Sequence, residues 1–184
     1  MLNFKNLKPE LIEKASRIKL LLTDSDGVLT DTGVYYSERG EELKRFSIRD
    51  GMGVERLRVL SGVETGIITG EVSGSVRTRA EKLGITELYM GVKNKSEVLE
   101  FISAKKNLDY GSIAYIGDDT NDIEVLRMAG LSACPADAVI QIKQITDFIT
   151  ESRGGNGAFR DFAELIIFSR TNNQESPDSK LESK

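Results

Sequence analysis

The sequence predicts an α/β protein, a Rossmann-like doubly wound parallel sheet carrying an inserted β-hairpin. Three observations predict it. Short apolar runs of strand length recur along the chain, segments of about ten residues with helical periodicity separate them, and acidic turns follow several of the runs.

Residues 9–17 read as a short amphipathic helix with Leu11, Ile12 and Ala15 on one side. The apolar run at 18–23 follows, as expected of a strand buried on both faces. Similar runs stand at 65–69, 87–90, 113–116 and 131–134, with a weaker one at 147–150. Between them, helical spacing links Val54, Leu57 and Leu60, then Val76, Ala80 and Leu83 before a stop at Gly84. It recurs at 95–106 with Val98, Leu99 and Ile102, at 121–129 with Ile123, Leu126 and Met128, and in a last helix at 157–168. One stretch breaks the rhythm. Residues 33–48 hold two β-prone runs about a turn at 37–40, a hairpin inserted after the first strand. The organisation expected is an N-terminal helical extension at 1–17, one domain at 18–170, and a polar, disordered tail at 171–184.

Composition narrows the chemistry before any motif is considered. The 184 residues include no histidine, which excludes Ser-His-Asp and Cys-His catalysis and nearly all catalytic zinc sites. The single cysteine, Cys134, excludes an internal disulfide framework. A net charge of −4 gives no reason to expect nucleic acid. No apolar run approaches the ~18 residues of a membrane helix, and the first ten residues lack a secretory core, so a cytoplasmic location is expected. Chemistry must run on carboxylates, lysine, hydroxyls and a hard cation.

In open α/β sheets, ligands sit beyond the carboxyl ends of the strands. Asp24-Ser-Asp26 follows the first strand and Thr69-Gly-Glu71 the second. Lys95 lies shortly beyond the third, and Gly117-Asp-Asp-Thr-Asn-Asp122 follows the fourth. So many acids repel one another unless a cation is present, and an all-oxygen donor set suits magnesium. Such a site fits phosphoryl transfer to a carboxylate, with a second acid two residues on serving the leaving oxygen. Lys95 opens a helix, where a cation opposes the macrodipole, so a functional duty explains it better than a structural one. Asp118 and Asp119 both precede a helix that needs one cap, which leaves at least one acid for a metal. Other phosphate signatures fail. A cysteine phosphatase needs Arg where Ile140 stands, a P-loop is absent, and an EF-hand starting at Asp24 needs Gly at Leu29 and Glu at Tyr35.

Asp24-Ser-Asp-Gly-Val-Leu-Thr-Asp31, Ile67-Ile-Thr-Gly70, Lys95 and Gly117-Asp-Asp-Thr-Asn-Asp122 resemble the four motifs of the haloacid dehalogenase superfamily of phosphatases. That resemblance implies Asp24 as nucleophile, Asp26 as general acid/base, and Thr69 and Lys95 as holders of the phosphoryl group. It also implies Mg2+ bound by Asp24, the Asp26 carbonyl and Asp118, with Asp119 and Asp122 nearby. Over residues 18–168, the hairpin, Phe46-Ser-Ile-Arg-Asp-Gly-Met-Gly53 and Arg153-Gly-Gly-Asn-Gly-Ala-Phe-Arg160 resemble the 3-deoxy-D-manno-octulosonate 8-phosphate phosphatase family. This implies no large cap domain, a homotetramer, and a phosphorylated keto-sugar acid as substrate. Glu71 after Gly70, together with Lys82, resembles the family's nine-carbon branch, whereas Arg49 and Asp50 resemble the octulosonate enzymes. Arg49, Asp50, Gly70, Glu71, Lys82 and Arg153 are therefore the expected substrate contacts, and the eight-carbon acid the expected substrate. A non-catalytic oligomerisation domain of the same fold is the rival, and it typically lacks the motif acids present here.

Overall fold

The computed structural model describes residues 7–174. At its centre lies β1 (Leu20–Thr23), whose Leu-Leu-Leu-Thr sequence is buried throughout. It pairs with β4 (Glu64–Ile68) on one side and β6 (Ile113–Ile116) on the other, both in parallel. β5 (Glu87–Tyr89), β7 (Leu131–Cys134) and β8 (Phe148–Ile149) complete a six-stranded parallel sheet in the order β5-β4-β1-β6-β7-β8. The chain leaves β1 for one edge and returns to build the other. A crevice therefore opens beyond the carboxyl ends of β1, β4 and β6.

Alternation along the strands divides the core into two layers. Leu20, Leu22, Ile113, Tyr115 and Cys134 face α4 (Lys95–Lys106), α5 (Ile123–Met128) and α6 (Ile140–Lys143). Leu21, Ile67, Ala114, Ile116 and Ala133 face α1 (Pro9–Ser16), α2 (Ile48–Ser61), α3 (Gly74–Leu83) and α7 (Ala158–Gln174). Burying each leucine is worth about 2 kcal/mol, so β1 is anchored from both faces. The hairpin of β2 (Thr30–Ser37) and β3 (Gly40–Phe46) forms a separate antiparallel pair, with Tyr35, Tyr36 and Leu43 exposed. Among the described residues, no helix is long and apolar enough to cross a membrane.

Three elements differ from the sequence reading. The helix whose spacing links Val54, Leu57 and Leu60 starts earlier than that pattern, at Ile48, because Ser47 accepts the Arg49 and Asp50 amides as an N-cap. Arg49 and Asp50 thus belong to its first turn. The last helix continues through Gln174, so 171–174 are helical where a disordered tail is expected. Arg170 anchors this end by donating to the Ser16 and Ile18 carbonyls at 3.3 and 2.7 Å, and Thr171 Oγ1 donates back to Ile167 O. Residues 175–184, the rest of that tail, lie outside the described residues. Finally, α6 is a four-residue helix with too short a pattern to read from sequence.

Asp50 is a cross-brace. Only 2 % exposed, it accepts the Gly157 amide at 3.1 Å and the Arg160 amide at 3.0 Å, satisfying amides at the start of α7. Removing the carboxylate strands both donors. D50A is expected to lower the unfolding free energy by about 3 kcal/mol in urea titrations, and a loss under about 1 kcal/mol would refute the brace.

Candidate active site

The loop after β1 is shaped by its own backbone. The Asp24 amide donates to Ile116 O at 3.0 Å, and Ser25 O accepts the amides of Val28, Leu29 and Thr30. Gly27 sits at φ +84°, and a Cβ there would lie 2.0 Å from Asp118 Oδ2. Only glycine lets the β6 loop bring Asp118 against this turn. On its far side the turn is backed by residues 154–157. Gly155 N donates to Val28 O at 2.8 Å, and a Cβ on Gly154 would fall 1.9 Å from Gly27 O.

Beneath the turn lies a buried charge cluster. Lys95 Nζ stands 2.8 Å from Asp24 Oδ2 and 2.7 Å from Asp122 Oδ1. The same Asp122 oxygen accepts the Tyr115 hydroxyl at 2.8 Å, while its other oxygen accepts the amides of Asp118 and Asp119 at 3.1 and 3.4 Å. Asp119 is committed elsewhere: its side chain accepts the Thr120 amide and forms a capping box with Asp122 over a short 3-10 turn. Of the two acids at 118 and 119, Asp119 caps and Asp118 turns to Asp24. Carboxylate oxygens of Asp24, Asp118 and Asp122 lie within 4.8 Å of one another. Asp122 has both oxygens filled by donors, which leaves Asp24 and Asp118 to face a cation.

A cavity of about 260 Å³ opens over this cluster, lined by Asp24, Asp26, Thr69, Gly70, Glu71, Asp118 and Asp119 among others. Seven expected site residues thus line one cavity. Lys95 forms the floor, 4 % exposed. Lys82 instead lines a neighbouring cavity of about 580 Å³ between the hairpin and α3, with Lys44, Phe46 and Arg79. Arg49 is exposed on α2 and Arg153 on the loop before α7, so this chain brings neither to the Asp24 cavity, and Asp50 is buried in its brace. Sequence reading missed Thr32 and Asn121 on the cavity wall, Tyr115 under Asp122, and Lys44 beside Asp26. Tyr115 sits inside an apolar run, and nothing local distinguishes it from a core aromatic.

Electrostatics explains why this arrangement suits a hard cation. Burial first, then the Asp122 charge, pushes the Asp24 carboxyl up to about 7 against the pull of Lys95. Burial, then Asp24, Asp122 and Asp119, pushes Asp118 up to about 8. Burial opposes the Lys95 charge, but Asp24 and Asp122 outweigh it and hold its pKa above the ordinary lysine value. One ammonium therefore serves several acids, and two carboxylates retain a proton that a divalent cation would displace. The sign for stability follows. The folded chain holds protons that the unfolded chain, with carboxyls near 3.8, has released, so metal-free stability falls as pH rises from about 4 to about 8. In chelator, the melting temperature is expected to drop across that window, D118N to flatten the drop, and a divalent cation to reverse it at the alkaline end. A melting temperature that climbs steadily through the window would contradict this.

Comparison with known proteins agrees with the geometry. A family model for haloacid dehalogenase-like hydrolases matches residues 67–160. The 3-deoxy-D-manno-octulosonate 8-phosphate phosphatase KdsC of Escherichia coli is 39% identical over 161 residues, covering 88% of this chain and 85% of that protein. The crystal structure of the Yersinia pestis 3-deoxy-D-manno-octulosonate 8-phosphate phosphatase superposes with a TM-score of 0.86 at 36% identity, over 92% of this chain and 91% of that one. The Moraxella catarrhalis phosphatase of the same name, solved with a magnesium ion, a phosphate ion and KDO, gives 0.86 at 35% identity, over 96% and 99%. With the acids, Thr69 and Lys95 assembled at the strand ends, this chain is a phosphoric monoester hydrolase. It belongs to the haloacid dehalogenase-like hydrolases, in the family of the 3-deoxy-D-manno-octulosonate 8-phosphate phosphatases.

Proposed function

We propose that this chain hydrolyses 3-deoxy-D-manno-octulosonate 8-phosphate with Mg2+, through a phosphoryl group carried on Asp24. The observation that carries the chemistry is Asp24 itself, buried, pinned by Lys95 at 2.8 Å and by the Ser25 amide at 2.6 Å, at the wall of an acid-lined cavity. The names of the relatives support the sugar acid.

In this reading an Asp24 oxygen attacks phosphorus as the bond to the sugar oxygen breaks, and Asp26 gives its proton to that leaving oxygen. Asp26 then takes a proton from a water that attacks the phosphoryl group, releasing inorganic phosphate and Asp24. Lys95 and Thr69 hold the phosphoryl oxygens, with the Gly70 and Glu71 segment beside them. Asp24 and Asp118, with the Asp26 carbonyl, would hold the magnesium, whose charge offsets the phosphoryl oxygens. Family resemblance extends the reading to a homotetramer, and the exposed Tyr35, Tyr36 and Leu43 of the hairpin support its contact with neighbouring copies. Glu71, on the cavity wall, favours a second reading: a nine-carbon ulosonate 9-phosphate.

Turnover of both phosphates by the purified protein tests the substrate. The octulosonate ester is expected to be faster, and a faster nine-carbon ester would transfer the assignment. D24N is expected to lower kcat at least about 1,000-fold, and acid quenching should place phosphate on the Asp24 peptide of the unaltered enzyme. Full activity in D24N, or without Mg2+, would refute the mechanism, and no turnover of any phosphate ester by the unaltered protein would restore the non-catalytic rival.

A further inference from the structure

We propose that Lys44, on β3 of the hairpin, is the positioning residue for Asp26, fixing the direction in which that carboxylate faces the leaving oxygen. The proposal rests on the reading of Asp26 as proton donor given above. Lys44 Nζ lies 2.7 Å from Asp26 Oδ1 and 2.8 Å from Oδ2, and 3.4 Å from Glu41 Oε2. Glu41 is held in turn by the Ser73 hydroxyl, and Ser73 caps α3 through the Val76 amide. The catalytic loop contributes less. From it, the Asp26 carboxylate receives the Thr30 hydroxyl at 3.3 Å. One cation spanning both oxygens fixes the plane of the carboxyl group, which a single long hydrogen bond to one oxygen does not.

The burial of this lysine argues for aim over stability. Its side chain is 1% exposed, whereas its strand neighbours Leu43 and Arg45 face solvent. A lysine on a hairpin ordinarily extends its ammonium into water. Burying it against carboxylates forfeits that hydration and adds little net stability. What the pairing does supply is geometry. Asp26 lines the smaller cavity and Lys44 the larger, so the pair stands where the two meet. A bridging oxygen between a phosphoryl group over Asp24 and a sugar in the larger cavity must lie at that junction.

First-turnover rates on two esters test the proposal: 3-deoxy-D-manno-octulosonate 8-phosphate, whose alkoxide needs a proton to leave, and p-nitrophenyl phosphate, whose phenolate does not. K44M is expected to slow the sugar ester about 100-fold and p-nitrophenyl phosphate at least tenfold less, with KM for both little changed. The double variant K44M/D26N should be no slower than D26N alone. E41Q, which loosens Lys44 without touching Asp26, should show the same split at smaller size, and K44R should recover part of the loss. Circular dichroism and melting temperature identify variants that fail to fold, and E41Q and K44R decide the matter if K44M is one of them. Equal losses on the two esters, or additive losses in the double variant, would overturn the assignment of Lys44. Failure of the unaltered enzyme to cleave either ester would overturn the phosphatase reading, and this proposal with it.

Discussion

The site depends on a carboxylate that performs no bond-making step. Asp122 accepts from Lys95, from Tyr115 and from two backbone amides of its own loop. A buried carboxylate costs several kcal/mol if left unpaired, so these donors are obligatory partners. Meeting that requirement has three geometric results. The loop after β6 must curl over Asp122, which brings Asp118 toward β1. The ammonium of Lys95 must reach across from α4, which places it under Asp24. Gly117 must lack a side chain, since a Cβ there would fall 2.4 Å from Asp122 Cγ. Satisfying one buried charge thus arranges the two acids that face the cavity.

Most of the fold was legible in the sequence because it follows from local patterns. The runs at 18–23, 113–116 and 131–134 became strands within two residues, and helix ends at Gly84 and Lys106 fell where expected, with Gly84 and Asn107 in the left-handed conformation. Asp24, Asp26, Thr69, Lys95 and Asp118 come together as expected because each follows a strand end on the same side of the sheet. The failures have a common cause. Asp50 is expected to contact substrate, yet its partners are amides 107 and 110 residues away. Lys44 meets Asp26 across 18 residues and a hairpin register with a bulge in it, which no spacing rule encodes. Sequence shows which residues could react. Long-range pairing decides which of them are held.

The hairpin belongs to both halves of this picture. Its outer face exposes tyrosine and leucine, and its inner face delivers one lysine to Asp26 and one glutamate to Ser73. Arg45 adds a third tie, to Asp31 and to Gly155 O. An element excluded from the main sheet is thereby fixed to the loop after β1, to α3 and to the segment before α7. The exposed apolar outer face and the tethered inner face are properties of one pair of strands.

The segment at 154–157, seated on the turn at Gly27, ties the loop that carries Asp24 to a distant part of the chain. During synthesis Asp24 leaves the ribosome early, but nothing backs its turn until residue 157 has followed. By then the whole sheet has already emerged. A chain without that segment would therefore carry the Asp24 turn without its backing.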